Sequence, residues 1–249
     1  MPTVRAQGLK NYTVVTGEGE IVFTATHPDP RVLMFHGFMR QANHVLHWRD
    51  LIEDIGFVHL PGHTFSPVLA ETSIEGWIRA FREMTTIFSR PPLIIAESLG
   101  AIVAMSIPAR AVIAVDPPLS VENLWPVQRA IRRARARGTQ VSAELEAMFD
   151  APFNWVLDRI SAPTLLLAGT EPLLPERRID RSPPSILTDD DFAAYAAHPM
   201  VESRRIEGGH DLLAANPEGV LAAAASFMAR HGYPVRPGVQ GGPFEDRAS

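Results

Sequence analysis

Short apolar runs alternate along the chain with longer segments in which apolar residues recur at helical spacing. Several of the runs after residue 30 are apolar throughout, which is typical of strands buried on both faces of a sheet. The predicted strands are Tyr12–Thr16, Ile21–Ala25, Arg31–Phe35, Phe57–Leu60, Leu93–Ala96, Ala111–Val115, Thr164–Ala168 and Ser203–Ile206. The predicted helices cover 42–55, 73–89, 99–107, 189–197 and 214–230. This alternation predicts an α/β fold, in which helices cover both faces of a mostly parallel, eight-stranded sheet.

Residues 119–160 break the alternation with amphipathic helical sequence that is rich in arginine from Arg129 to Arg137. We expect a short helical cap at 119–160, inserted between core segments 1–118 and 161–232, and a flexible Gly- and Pro-rich tail at 233–249. The arginines indicate either a solvated helix face or a positive edge that favours an anionic substrate.

Ser98 lies where a predicted strand passes directly into a predicted helix, in the sequence Ala96-Glu97-Ser98-Leu99-Gly100. This approximates the G-x-S-x-G pattern of a nucleophile elbow. The residues two before and two after such a corner crowd each other and must be small, as Ala96 and Gly100 are. The alternative is a serine that caps an ordinary buried helix.

Other polar residues also follow predicted strands, namely His36, Asp116, Glu171 and His210. The carboxyl ends of parallel strands meet at one edge of a sheet, where ligand sites form. We therefore expect these side chains and Ser98 to converge.

The chain resembles the α/β-hydrolases over roughly residues 12–232. The resemblance rests on His36-Gly37-Phe38, on the residues around Ser98, on Pro163 to Pro175 and on Gly208-Gly209-His210. It implies that Ser98 is a nucleophile and that His210 is its general base. It also implies an oxyanion hole made by the backbone N–H groups of Phe38 and Leu99.

The family resemblance offers two candidates for the acid that orients His210. Glu171 is favoured, because Glu171-Pro172-Leu173-Leu174-Pro175 matches an acid-Pro-apolar-apolar-Pro pattern of the family with one residue deleted. The alternative is Asp116, since some relatives carry the acid after the preceding strand. Substrate contacts are expected from Met39, Trp125 and Phe153.

Composition narrows the classes of partner. The chain has no cysteine and a net charge of −5, which excludes thiolate metal sites and argues against a broad nucleic-acid surface. His44 and His47 have metal-like spacing but lack a third ligand in the sequence, so we expect no metal and no cofactor. We expect a cytoplasmic protein without a membrane partner, because neither a signal segment nor a spanning apolar stretch is evident.

These features predict a serine hydrolase that cleaves a small carboxylic ester, thioester or lactone through an acyl-enzyme on Ser98. One alternative is a C–C bond hydrolase or acyltransferase with the same triad. Another is a binding protein that kept the fold without catalysis.

Overall fold

An eight-stranded sheet forms the centre of the computed structural model, which describes residues 8–120, 124–138, 143–171 and 184–233. Its strands are β1 (Lys10–Thr16), β2 (Gly19–Ala25), β3 (Val32–Phe35), β4 (Ile55–His59), β5 (Leu93–Glu97), β6 (Ala111–Val115), β7 (Thr164–Gly169) and β8 (Val201–Ile206). They are arranged in the order β1-β2-β4-β3-β5-β6-β7-β8. β1 and β2 are antiparallel to their neighbours, and the other six strands are parallel. The predicted fold class is confirmed.

The helices bury both faces of this sheet. They are α1 (Ile74–Thr85), α2 (Leu99–Met105), α3 (Trp125–Ala136), α4 (Ala143–Ala147), α5 (Asp189–Ala196), α6 (Leu212–Ala215) and α7 (Pro217–Arg230), with 3₁₀ helices at Ala42–Asp50 and Asn154–Arg159. The segment predicted as a helix over 42–55 is a 3₁₀ helix over its first nine residues, in keeping with the low helix propensity of its Asn, His, Val and Trp residues. None of the helices in the described ranges is long and apolar enough to cross a membrane.

Two apolar cores lie on opposite sides of the sheet, because successive strand residues point to opposite faces. Ile94 packs in the core that includes α1 and α2, whereas its neighbour Ile95 packs in the core that includes α7. Residues of α3 and of the 3₁₀ helix Asn154–Arg159 join the first core through Ile131 and Val156. The segment between β6 and β7 is thereby anchored over the edge of the sheet where the parallel strands end.

Candidate active site

Ser98 occupies a strained corner between β5 and α2. Its backbone has φ 55° and ψ −125°, a conformation that non-glycine residues rarely adopt, and its side chain does not cap the helix. Helix capping, the alternative offered by the sequence, is therefore wrong. A Cβ atom at Gly100 would lie 2.5 Å from the carbonyl oxygen of His36, so only glycine fits at that position.

His210 meets its carboxylate partner beyond the end of β6. Its Nδ1 lies 2.6 Å from Oδ2 of Asp116, which is fully buried. Asp116 has φ 47°, and its backbone N–H donates to Leu167 of β7. The same carboxylate accepts hydrogen bonds from the hydroxyl of Ser185 and the backbone N–H of Ile186. Asp116 is thus held by several donors and orients the imidazole.

The preference for Glu171 as the acid is corrected by this contact. Glu171 follows β7, and its backbone N–H donates to the carbonyl of Gly208 while its own carbonyl accepts from Ser185. Its main chain thereby connects the end of β7 to the segment before His210. In the described residues the carboxylate bonded to His210 is Asp116, because the backbone turn at φ 47° directs that side chain toward the imidazole.

The environment of His210 favours its charged form. Burial alone lowers the pKa of this imidazole, but the hydrogen bond and negative charge of Asp116 outweigh it, with a further contribution from the charge of Glu97. The net effect is a pKa raised above the ordinary value of 6.5. At a given pH a larger fraction of this imidazole is therefore protonated than of a histidine free in solution.

Ser98 and His210 border one cavity of about 440 Å³. Ser98 is 5% exposed, and its hydroxyl makes no hydrogen bond with any residue that the structure describes. In unliganded active sites the bond between nucleophile and base is often long and shortens when substrate binds. The cavity walls include Phe38, Met39 and, beside Asp116, Ile186.

The structure does not bring Trp125 and Phe153 to this cavity. Phe153 is buried, and its ring packs edge-on against Phe149 and Trp155. Hydrophobic periodicity gives the same signal for a core residue and a pocket wall, which is why the sequence did not separate them.

Two neutral histidines lie at the loop that carries Phe38, one of the two predicted oxyanion donors. His36 accepts from the N–H of Leu60 through Nε2, and burial lowers its pKa to about 3. Nε2 of His63 accepts from the N–H of Met39, and burial lowers the pKa of His63 as well. The N–H of the intervening Phe38 has no partner in the described part of the chain. The first N–H groups of α2, beginning with Leu99, are likewise outside the intrahelical bonding pattern.

Glu97 is a site residue that sequence reasoning missed. It stands between Ala96 and Ser98, is 3% exposed and borders the cavity. Its Oε1 atom has no hydrogen-bond partner among the described residues. Burial raises its pKa, although the charges of His210 and Arg40 act in the opposite direction. The only sequence signal was a charged residue at the end of an otherwise apolar strand.

Metal ligation finds no support at the paired histidines. His44 and His47 lie on the 3₁₀ helix Ala42–Asp50, where Nδ1 of His44 accepts from the N–H of Gln41. Within the ranges covered by the structure, no cluster of three or more His, Asp or Glu side chains is arranged to hold an ion.

Comparisons with known proteins find solved structures with a similar fold. E-2-(acetamidomethylene)succinate hydrolase has a TM-score of 0.70 at 14% identity, covering 89% of this chain and all of that one (100%). N-formylmaleamic acid deformylase from Pseudomonas putida has a TM-score of 0.61 at 17% identity (86% and 100% covered). A malate-bound esterase from Thermogutta terrifontis has a TM-score of 0.61 at 18% identity (89% and 99% covered).

At these identities the likeness to solved structures concerns the fold. A comparison with curated proteins finds no match. The model of the family described as the alpha/beta hydrolase family, however, matches residues 32–224, well over half of the chain. On that match and on the sheet that carries the elbow serine, this chain belongs to the alpha/beta hydrolase family.

Proposed function

We propose that this protein is a serine hydrolase that cleaves a small carboxylic ester, thioester or lactone through an acyl-enzyme on Ser98. The observation that carries the proposal is the elbow at φ 55° and ψ −125°, on the same cavity as an imidazole bonded to a buried carboxylate. A strained serine corner has little structural purpose unless its hydroxyl must project into a cavity. Nucleophile, acid and base follow the chain order Ser98, Asp116, His210.

In the proposed reaction the Ser98 hydroxyl attacks the acyl carbon as Nε2 of His210 takes its proton. Asp116 stabilises the resulting imidazolium through the bond to Nδ1. The tetrahedral oxyanion accepts hydrogen bonds from the N–H groups of Phe38 and Leu99, and removing one such donor in comparable enzymes costs about 10²–10³ in rate.

Collapse of this intermediate breaks the bond to the alcohol or thiol, which leaves with the proton from His210. The acyl group then remains on the oxygen of Ser98. Water attacks this acyl-enzyme with His210 again as base, which releases the carboxylic acid and regenerates the serine.

The names of the similar structures, a deformylase, a hydrolase of an acetamido compound and an esterase, support acyl cleavage as the reaction class. Carbon–carbon hydrolysis would use the same three residues, and a panel of β-diketones distinguishes it from ester cleavage. Acyl transfer differs only in the molecule that attacks the acyl-enzyme, and product analysis distinguishes the two.

A fluorophosphonate probe tests the proposal directly, because it labels a serine only when the hydroxyl is activated. We expect stoichiometric labelling that maps to Ser98, and hydrolysis of short 4-nitrophenyl esters that Ser98→Ala abolishes. Ser106→Ala is the matched control, since the Ser106 hydroxyl donates to Ile102 within α2 and takes no part in the cavity. Equal ester hydrolysis by wild type and Ser98→Ala would remove Ser98 from the mechanism.

A further inference from the structure

Three arginines share one face of α3 and its C-terminal cap. Arg129, Arg133 and Arg137 follow one another at intervals of four residues, which places them on the same side of a helix over about 12 Å. All three border the cavity that contains Ser98 and His210. The small residues Ala130 and Ala134 lie between them on the cavity wall and leave room beside the guanidinium groups.

The other arginines of this helix are placed differently. Arg132 and Arg135 do not border the cavity, and Arg135 forms an ion pair with Glu146 of α4. The arginine-rich sequence therefore divides into a face toward the cavity and a face away from it.

In the part of the chain that the structure describes, Arg129, Arg133 and Arg137 form no ion pair. Arg40, which also borders the cavity, is paired with Asp211.

One carboxyl group, that of Glu97, also borders the cavity, and burial raises its pKa. Even when charged, it supplies a single negative charge opposite three arginines that form no ion pair in the described residues. The net charge of the whole chain is −5, so this accumulation of positive charge is a local feature.

Like charges four residues apart on a helix repel each other and destabilise it. Guanidinium groups bind carboxylates and phosphates through paired N–H donors. Three of them beside a nucleophile attract an anion into the cavity and hold it there.

We propose that the cavity accepts an anionic acyl compound, whose carboxylate or phosphate lies against Arg129, Arg133 and Arg137 while its acyl carbon lies at Ser98. This rests on the proposed function, because it assigns a substrate class to the same site. The charge belongs either to the acyl part, as in a dicarboxylic half-ester, or to the leaving group, as in a coenzyme A thioester.

Matched substrates separate these two sources. For the acyl part, kcat/KM is compared between mono-4-nitrophenyl succinate and neutral 4-nitrophenyl butyrate. For the leaving group, butyryl-coenzyme A is compared with the neutral butyryl thioester of N-acetylcysteamine. We expect the wild type to prefer the anionic member of one pair, and the preferred pair identifies where the charge lies. Added salt reduces that preference, because it screens exposed charges.

Charge-removing variants test the residues. Arg133→Gln is expected to lower the ratio of anionic to neutral kcat/KM about fivefold, the upper range for an exposed ion pair, chiefly through KM. The triple replacement of Arg129, Arg133 and Arg137 by glutamine abolishes the preference. Arg132→Gln on the outer face of the same helix is the control and keeps the ratio. Equal kcat/KM within both pairs, or an equal effect of Arg132→Gln and Arg133→Gln on the ratio, overturns the proposal.

Thermal unfolding separates failure of this inference from failure of the proposed function. Succinate or coenzyme A is expected to raise the Tm of the wild type, compared with sodium chloride at the same ionic strength, and not that of the triple variant. If Ser98 is neither labelled nor active but this stabilisation remains, the hydrolase proposal fails and the anion site stands. If Ser98 is active and neither anion stabilises the wild type, the anion site fails alone.

Discussion

Replacing Asp116 with asparagine removes the negative charge beside His210 while keeping the size of the side chain. The carboxylate accepts bonds from Nδ1 of His210 at 2.6 Å, the Ser185 hydroxyl at 2.5 Å and the Ile186 N–H at 2.9 Å. An asparagine has one acceptor oxygen and one amide nitrogen, so it satisfies these donors in only one orientation. The oxygen must face His210 and Ile186, and the NH₂ group must face Ser185, whose hydroxyl can rotate to accept.

In that orientation His210 keeps its tautomer, and the loss comes from the missing charge. Replacing a charge-assisted hydrogen bond by a neutral one removes about 2 kcal/mol, and the attraction between two charges about 4 Å apart at an effective dielectric constant near 20 is about 4 kcal/mol. A loss of about 2–4 kcal/mol corresponds to a decrease of about 30- to 1000-fold in kcat. The opposite orientation fixes the wrong tautomer, which costs about 10⁴ in the serine-protease triad.

The assay is hydrolysis of a 4-nitrophenyl ester from pH 5 to 9 by wild type, Asp116→Asn and Glu171→Gln, with circular dichroism to confirm folding. Because Asp116 raises the pKa of His210, its removal moves the acidic limb of kcat/KM to lower pH. Glu171→Gln keeps the backbone bonds that Glu171 makes to Gly208 and Ser185, so we expect less than about a twofold change. Full activity of Asp116→Asn, or an equal loss in Glu171→Gln, would refute the assignment of the acid.

Two further predictions concern residues beside the nucleophile. Burial raises the pKa of Glu97 above its ordinary value of 4.5. Above pH 4.5 the folded protein therefore binds more protons at Glu97 than the unfolded chain does, so the free energy of unfolding falls as the pH rises. Glu97→Gln should therefore gain stability over wild type in urea unfolding at pH 8 and lose that gain below pH 4.5; an equal gain at both values would contradict it. Gly100→Ala places a methyl group 2.5 Å from the carbonyl oxygen of His36. We expect a loss of about 1–3 kcal/mol in the free energy of unfolding, together with a lower kcat. Wild-type values for both quantities would show that the elbow tolerates a side chain at this position.

Much of the fold follows from the sequence because parallel strands buried on both faces have a strong signature. The run Ala111–Val115 is apolar at every position, and its predicted bounds are those observed. Ser98 could be predicted equally well, because the requirement for small residues at positions 96 and 100 concerns only its near neighbours in the sequence. These features depend on neighbours in the chain.

The choice of acid depends on contacts that are distant in sequence. Asp116 and Glu171 follow adjacent parallel strands, so both are candidates by position. What distinguishes Asp116 is its backbone turn at φ 47° and the hydrogen bonds that it accepts from Ser185 and Ile186. Those two donors lie about 70 residues after Asp116 in the chain. Neither the turn nor these donors can be recognised from a local sequence pattern.

The neutral histidines His36 and His63 contact the loop that carries Phe38, and they predict two separate ways in which acid abolishes activity. On lowering the pH, His210 gains its proton first, because its pKa is raised while that of His63 is lowered. That step reduces the rate and leaves the architecture intact. Protonation of His63 at lower pH turns its Nε2 from an acceptor into a donor, which releases the N–H of Met39 and loosens the peptide that presents Phe38. Activity lost in mild acid should therefore return at once on neutralisation. Activity lost in stronger acid should return more slowly, because the loop that carries Phe38 must first regain its structure.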